Sequence, residues 1–241
     1  MNRTVIGETL RRHVTNVAFI IYLFFLAIVA FGVSVFDRPA SGWPTLITLL
    51  ALIAGAGAIG PEFSSGTLQL ILVKPVNRAA YLLSRVTGIV LTVWLASLVP
   101  AICELAGRAM WGEGGLHARQ IGIGLVNSAA DTLLAVSLLA LLGSLTRAWF
   151  NIGIYMTALI GLSMSAVVMA MLRQSPNAVG RFLTKYTHLE RGLAVIDKNL
   201  FPELPPRLDI DWTLMVLSNA AVALVLACLA FRNREVPYGA D

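Results

Sequence analysis

The chain has 241 residues, of which 57% are hydrophobic and 13% charged, and its mean hydropathy is +0.78. A soluble domain carries about 25% charged residues, so this composition excludes an ordinary water-soluble domain and reads as an integral membrane protein. The formal net charge of +5 would suit an anionic partner, but the basic residues are scattered at the ends of apolar stretches, where membrane lipid and topology account for them, and no nucleic-acid partner is expected.

At the N-terminus, Ile6, Leu10 and Val14 recur every four residues while Arg3, Glu8, Arg11 and Arg12 occupy other faces. That pattern predicts a short amphipathic helix within residues 1–16, lying in the membrane interface. Apolar stretches then recur at 17–36, 43–59, 86–102, 121–145, 152–172 and 212–231, each near the roughly 20 residues a helix needs to cross hydrocarbon. Lipid offers no partner for backbone polar groups, so such spans must be helices, and the expected fold is an all-α membrane protein with about six spans. The first stretch exceeds the roughly 7 to 15 apolar residues of a signal-peptide core and is expected to persist as a helix.

An even number of spans puts both ends on one side, and Arg3, Arg11 and Arg12 place that side in the cytoplasm by the positive-inside rule. Lys74, Arg78, Arg85, Arg147, Arg232 and Arg234 fall inside with them. Arg38, Arg108, Arg119, Arg173, Arg181, Lys185, Arg191, Lys198 and Arg207 fall outside, where Asp37, Glu104, Glu113, Glu190, Asp197, Glu203, Asp209 and Asp211 nearly cancel them.

A polar, basic interruption at 61–85, PEFSSGTLQLILVKPVNRAAYLLSR, separates the second stretch from the third. Ser64 and Ser65 can cap a helix, Leu68 to Val73 fill roughly two turns, and Pro75 prevents continuation. The run LQLILV is also short enough to be a strand, although its membrane setting favours the helix. Asn77 can then cap the next helix, which enters the third span through Tyr81 and Leu82.

Glu62, Gly66-Thr67-Leu68, an apolar run, Lys74-Pro75-Val76 and Arg78 together resemble the cytoplasmic signature of type-two ATP-binding-cassette (ABC) exporter permeases, with Asn77 where a Ser is usual. The likeness extends to the interfacial helix, the span number and a long outer loop before the last span. It implies one permease domain: 1–16 interfacial, 17–60 spans one and two, 61–85 a cytoplasmic coupling helix, 86–172 spans three to five, 173–211 a helical extracytoplasmic loop, and 212–241 span six with a cytoplasmic tail. It also implies that Glu62, Gly66, Thr67 and Pro75 dock on an ABC ATPase subunit. A second permease copy, in a homodimer or with a related permease, would complete the unit in a bacterial cytoplasmic membrane. The chain has no Gly-x-x-x-x-Gly-Lys-Ser/Thr loop; Gly55 to Gly60 lacks the Lys. ATP and magnesium are accordingly expected on the partner, with no cofactor on this chain.

Gly153, Thr157, Gly161 and Ser165 form a small-residue ridge at four-residue spacing, as do Ala51 with Gly55 and Ala54 with Ala58. Such ridges let helices approach closely, within one subunit or across a dimer seam. Asp131, with Asn127 one turn earlier and Ser128 beside it, is the one carboxylate read well inside a span, and an ionisable group there is a candidate for a substrate or proton path. The other reading starts the fourth span late and leaves Asp131 near the outer headgroups, paired with Arg108 or Arg119. Otherwise, scarce charge in the spans disfavours a hydrophilic ion path.

Between the last two stretches, Ser175-Pro176 opens a predicted helix with Val179, Phe182, Leu183 and Tyr186 on one face. Phe182, Leu183 and Tyr186 are candidate outer-gate residues. Thr187-His188-Leu189-Glu190 is a capping box opening a second helix through Leu193, Ile196 and Leu200. Residues 201–207 should be extended, Asp211 should cap the sixth span, and Trp212 should anchor it at the interface.

A membrane enzyme fits poorly. His13, His117 and His188 lie outside the spans, so Ser163 has no intramembrane base, and Cys103, Glu104 and His117 match no zinc spacing. Neither catalytic nor metal residues are assigned, and Cys103 and Cys228 are read as packing residues. The alternatives to a permease are an ATP-independent membrane carrier, which would need midplane charges in two related halves, and a non-catalytic membrane assembly protein.

Overall fold

The fold is described from a computed structural model over residues 3–35, 43–56, 77–111, 118–146, 150–173 and 187–233, with backbone alone for 166–173 and 187–190. Among the described residues there are eight helices and no strand: α1 Arg3–Val14, α2 Val17–Val35, α3 Trp43–Ala56, α4 Arg78–Trp111, α5 Ala118–Leu145, α6 Phe150–Arg173, α7 Thr187–Leu200 and α8 Ile210–Asn233. Four of them, α2, α4, α5 and α8, are long and apolar enough to cross a bilayer, as the all-helical membrane reading requires.

Local capping chemistry sets several boundaries. The side-chain oxygen of Asn16 accepts from the N–H of Ala18 at 3.0 Å and that of Asn77 from Ala79 at 3.0 Å, so each Asn satisfies an orphan donor at a helix start. Asn77 thus performs the expected capping. At α8, however, the cap is Asp209, whose Oδ1 accepts from the N–H groups of Asp211 at 3.0 Å and Trp212 at 3.3 Å. Asp211 instead stands inside the first turn, where its charge still complements the helix dipole.

The chain divides into two compact units, Met1–Ile152 with Leu204–Asp241, and Gly153–Glu203. In the first, α2 and α1 pack on α4, α3 packs on α5 and α4, and α5 packs on α8. Small residues set the close approaches. A Cβ on Gly55 would lie 2.6 Å from Leu139 Cδ1, so Gly55, together with the fully buried Ala51 and Ala54, is consumed by packing against α5 within the chain. Gly107 meets the Ser34 hydroxyl of α2 in the same way, and Phe31 and Trp111 close that contact edge to face at 5.4 Å.

The α5–α8 contact is built on Leu134, Trp212, Val216 and Ala220. Trp212 is therefore buried in protein rather than anchored among headgroups, because Leu134 of α5 offers its ring an apolar surface. In the second unit, Tyr155 of α6 meets Phe201, just past α7, edge to face at 5.1 Å. The exposed Val195 and Ile196 leave α7 amphipathic. Residues 201–209 contain neither helix nor strand, consistent with the extended reading of the proline-rich stretch.

The most instructive departure concerns α4. Its apolar run stops at Ile102, yet the helix continues to Trp111 and spans 34 residues with Pro100 inside it, roughly 50 Å at the α-helical rise. Glu104 and Arg108, assigned above to an outer connection, are buried within this helix and bonded to each other across one turn at 2.9 Å.

Candidate functional site

Two polar constellations stand among the apolar helices. The first joins α1 to the start of α4. Thr9 is fully buried; its hydroxyl donates to the carbonyl of Val5 at 2.7 Å and accepts from Nη1 of Arg85 at 2.8 Å. One turn beyond Arg85, Gly88 makes room for this contact, since a Cβ there would lie 2.8 Å from Thr9 Cβ and 3.3 Å from the Ile6 carbonyl oxygen. His13, one turn after Thr9, is buried on the same face and sits 6.2 Å from the Phe19 ring. Burial, then the charges of Arg85 and Arg12, hold its pKa down at about 4, so the ring is neutral at pH 7.

The expected apolar stripe of α1 is therefore not its most buried face. Val14 is 54% exposed while Thr9 and His13 are buried, because Gly88 and Arg85 of α4 offer a shallow, hydrogen-bonding surface that a threonine fits better than a leucine. Ile6, Leu10 and Val14 line the edge of that contact, on the side where a lipid phase would lie.

The second constellation runs through α3, α4 and α5. Trp43 Nε1 donates to Glu104 Oε2, and Arg108 Nε donates to Glu104 Oε1. One and a half turns along α3, the Thr48 hydroxyl donates to Oδ2 of the buried Asp131. Asn127, one turn before Asp131, donates to the carbonyls of Pro205 at 2.9 Å and Arg207 at 3.3 Å. Its own Oδ1 is buried without a hydrogen-bond partner among the described residues. The Ser128 hydroxyl turns back to the Leu125 carbonyl at 3.0 Å.

This geometry corrects the pairing of Asp131 with Arg108 or Arg119. Arg108 bonds Glu104, and Asp131 takes its bond from Thr48. Nor does the helix start late: α5 begins at Ala118, which sets Asp131 about 20 Å along it. Asp131 is also not the only carboxylate buried among the long helices, since Glu104 is fully buried. Glu104 and Arg108 were legible as an acid-base pair at i, i+4, and their neutralisation explains why the helix outlasts its apolar run.

Glu62, Gly66, Thr67 and Pro75, and likewise Phe182, Leu183 and Tyr186, lie outside the described residues. The helix predicted after Ser175-Pro176 lies there too. The two attachment points of 61–85 are described: the last carbonyl of α3, at Ala56, accepts from the buried Asn151 side chain at 3.5 Å, and α4 starts at the Asn77 cap. On α6, Gly153 and Gly161 have open space where a Cβ would stand, Thr157 is exposed and Ser165 half-buried. Cys103 and Cys228 are half-buried free thiols. No cluster of three or more His, Cys, Asp or Glu side chains suited to a metal occurs among the described residues. No protein-family model and no curated protein matches the chain.

Proposed function

We propose that this chain is the transmembrane permease subunit of an ABC exporter, energised by a separate ATPase that docks on residues 61–85. The observation that carries the reading is the continuity of α4. The segment bearing the Glu62 to Arg78 resemblance leads directly into the Asn77 cap and a single helix of 34 residues. That helix holds α1 through Arg85 and Gly88 and α3 through Glu104. A force applied at 61–85 would thus move α1, α3 and α4 together, as a rigid-body transition requires.

In this proposal α3 and α6 extend to complete six spans, both termini are cytoplasmic, and two permeases combine with two ATPase subunits in the bacterial cytoplasmic membrane. Glu62, Gly66, Thr67 and Pro75 contact the ATPase, and Asn127 with Asp131 border the substrate path. Phe182, Leu183 and Tyr186 cover its outer exit. ATP and magnesium are bound by the partner.

The test is copurification with the ATPase subunit and ATP-driven transport. Replacing Glu62→Lys or Gly66→Leu should leave membrane insertion intact and weaken both association and transport. Normal complex formation and transport in both variants would overturn the coupling assignment. An ATP-independent carrier is the second reading, favoured by three buried ionisable groups, Glu104, Arg108 and Asp131, on the long helices. Transport by the chain alone in vesicles, driven by an ion gradient and lost in Asp131→Asn, would select it.

A further inference from the structure

Between α1, α2 and α4 lies an apolar groove of about 250 Å³. Leu10 and Val14 of α1 form one wall, Phe19 and Leu23 of α2 the second, and Leu95 and Ala96 of α4 the third. It is open along one side: Val14 is 54%, Ile20 49% and Leu95 49% exposed. The hydroxyl of Thr92, the polar group in the lining, already donates to the Gly88 carbonyl at 2.7 Å, so the groove presents nothing that would hold water, which needs two to four polar partners.

The charge beside it is one-sided. At 100° per residue, Arg3 lies within about 40° of Leu10 and Val14 on the surface of α1, and Arg11 flanks the same stripe, while Glu8, the acidic residue of this helix, points to the far side. Arg3 and Arg11 are both exposed. An apolar channel bordered by two arginines complements a molecule with a hydrocarbon chain and an anionic head.

We propose that this groove is a binding site for an anionic phospholipid of the bilayer, one acyl chain lying between Leu23 and Leu95 and the phosphate held by Arg11 and Arg3. The lipid then forms part of the seat on which α1 rests, beside the Thr9–Arg85 contact.

Purified full-length protein in phosphatidylcholine vesicles would be photolabelled with phosphatidylglycerol, phosphatidylcholine or free fatty acid carrying a mid-chain diazirine, and the labelled peptides mapped. Phosphatidylglycerol should label residues 17–23 and 92–96 roughly five-fold more than phosphatidylcholine, the ratio one basic side chain at an anionic surface supplies. Arg3→Gln with Arg11→Gln should equalise the two lipids. Ala96→Phe, or Leu10→Trp from the opposite wall, should abolish labelling there while the exposed Leu214 to Val225 face of α8 stays labelled, which certifies the fold. Equal labelling by both phospholipids in the unmodified protein would overturn the proposal. So would a preference that survives the arginine changes, undiminished labelling in both groove-filling variants, or fatty acid that labels as strongly as phosphatidylglycerol.

Discussion

Arg85 donates to the hydroxyl of Thr9 at 2.8 Å across 76 positions of sequence, with both side chains buried. This bond makes the N-terminal helix part of the α4 body. A charged donor to a neutral acceptor in a buried setting contributes about 1.5–3 kcal/mol, and here it also satisfies a guanidinium that would otherwise be costly to bury.

Gly88 is the steric counterpart of that bond. Gly88→Leu should drive Thr9 and the Ile6 carbonyl away from α4 and cost about 1–3 kcal/mol through overpacking. Thermal unfolding in detergent, together with trypsin cleavage after Arg11 and Arg12, measures both effects. The variant should unfold earlier and be cut faster; unchanged cleavage would show that α1 does not depend on this contact.

The same interface should respond to acid through His13. An ordinary histidine titrates near 6.5, and burial beside Arg85 and Arg12 holds this one at about 4. Between those values the undocked helix binds a proton that the docked one does not. Docking is thus fully favoured above pH 6.5 and weakens as pH falls toward 4, below which the loss stops. A fluorophore on α1 should report increased mobility at pH 5 relative to pH 7.5, and His13→Asn should flatten the response.

The Glu104–Arg108 pair predicts a non-additive mutant cycle. Arg108→Met alone leaves a buried carboxylate without its cation and should cost about 3–5 kcal/mol. Adding Glu104→Met should recover most of that loss, short of the roughly 1 kcal/mol forfeited by Trp43 Nε1 when its acceptor disappears. Chemical unfolding of the three variants in a fixed detergent checks the cycle; additive losses would mean that the two side chains act independently.

For α6, the proposed permease pair makes the small-residue ridge a candidate seam. With Cys103 and Cys228 replaced by Ser, single cysteines at Gly153, Thr157 and Gly161 should cross-link two copies in membranes. Cross-linking confined to Ile154 and Ile160, exposed elsewhere on the helix, would move the seam.

Residue chemistry alone determined the membrane class, the helical fold and several helix starts. Backbone groups in lipid must bond within their own segment, and an Asn before a helix caps it by a contact two residues away. These are local or solvent-level constraints, and they are legible in order along the chain. The faces that would pack were decided by tertiary structure. Hydropathy ranks Leu10 and Val14 above Thr9 and His13 as buried residues, but Gly88 and Arg85, far along the chain, provide a shallow hydrogen-bonding seat for the polar pair. Hydropathy likewise ends the third span at Ile102, although Glu104 and Arg108 neutralise each other and carry the helix to Trp111. In each case a polar side chain is buried because a partner distant in sequence, or one turn away, satisfies it, and that free energy depends on geometry between side chains rather than on the apolar content of a window.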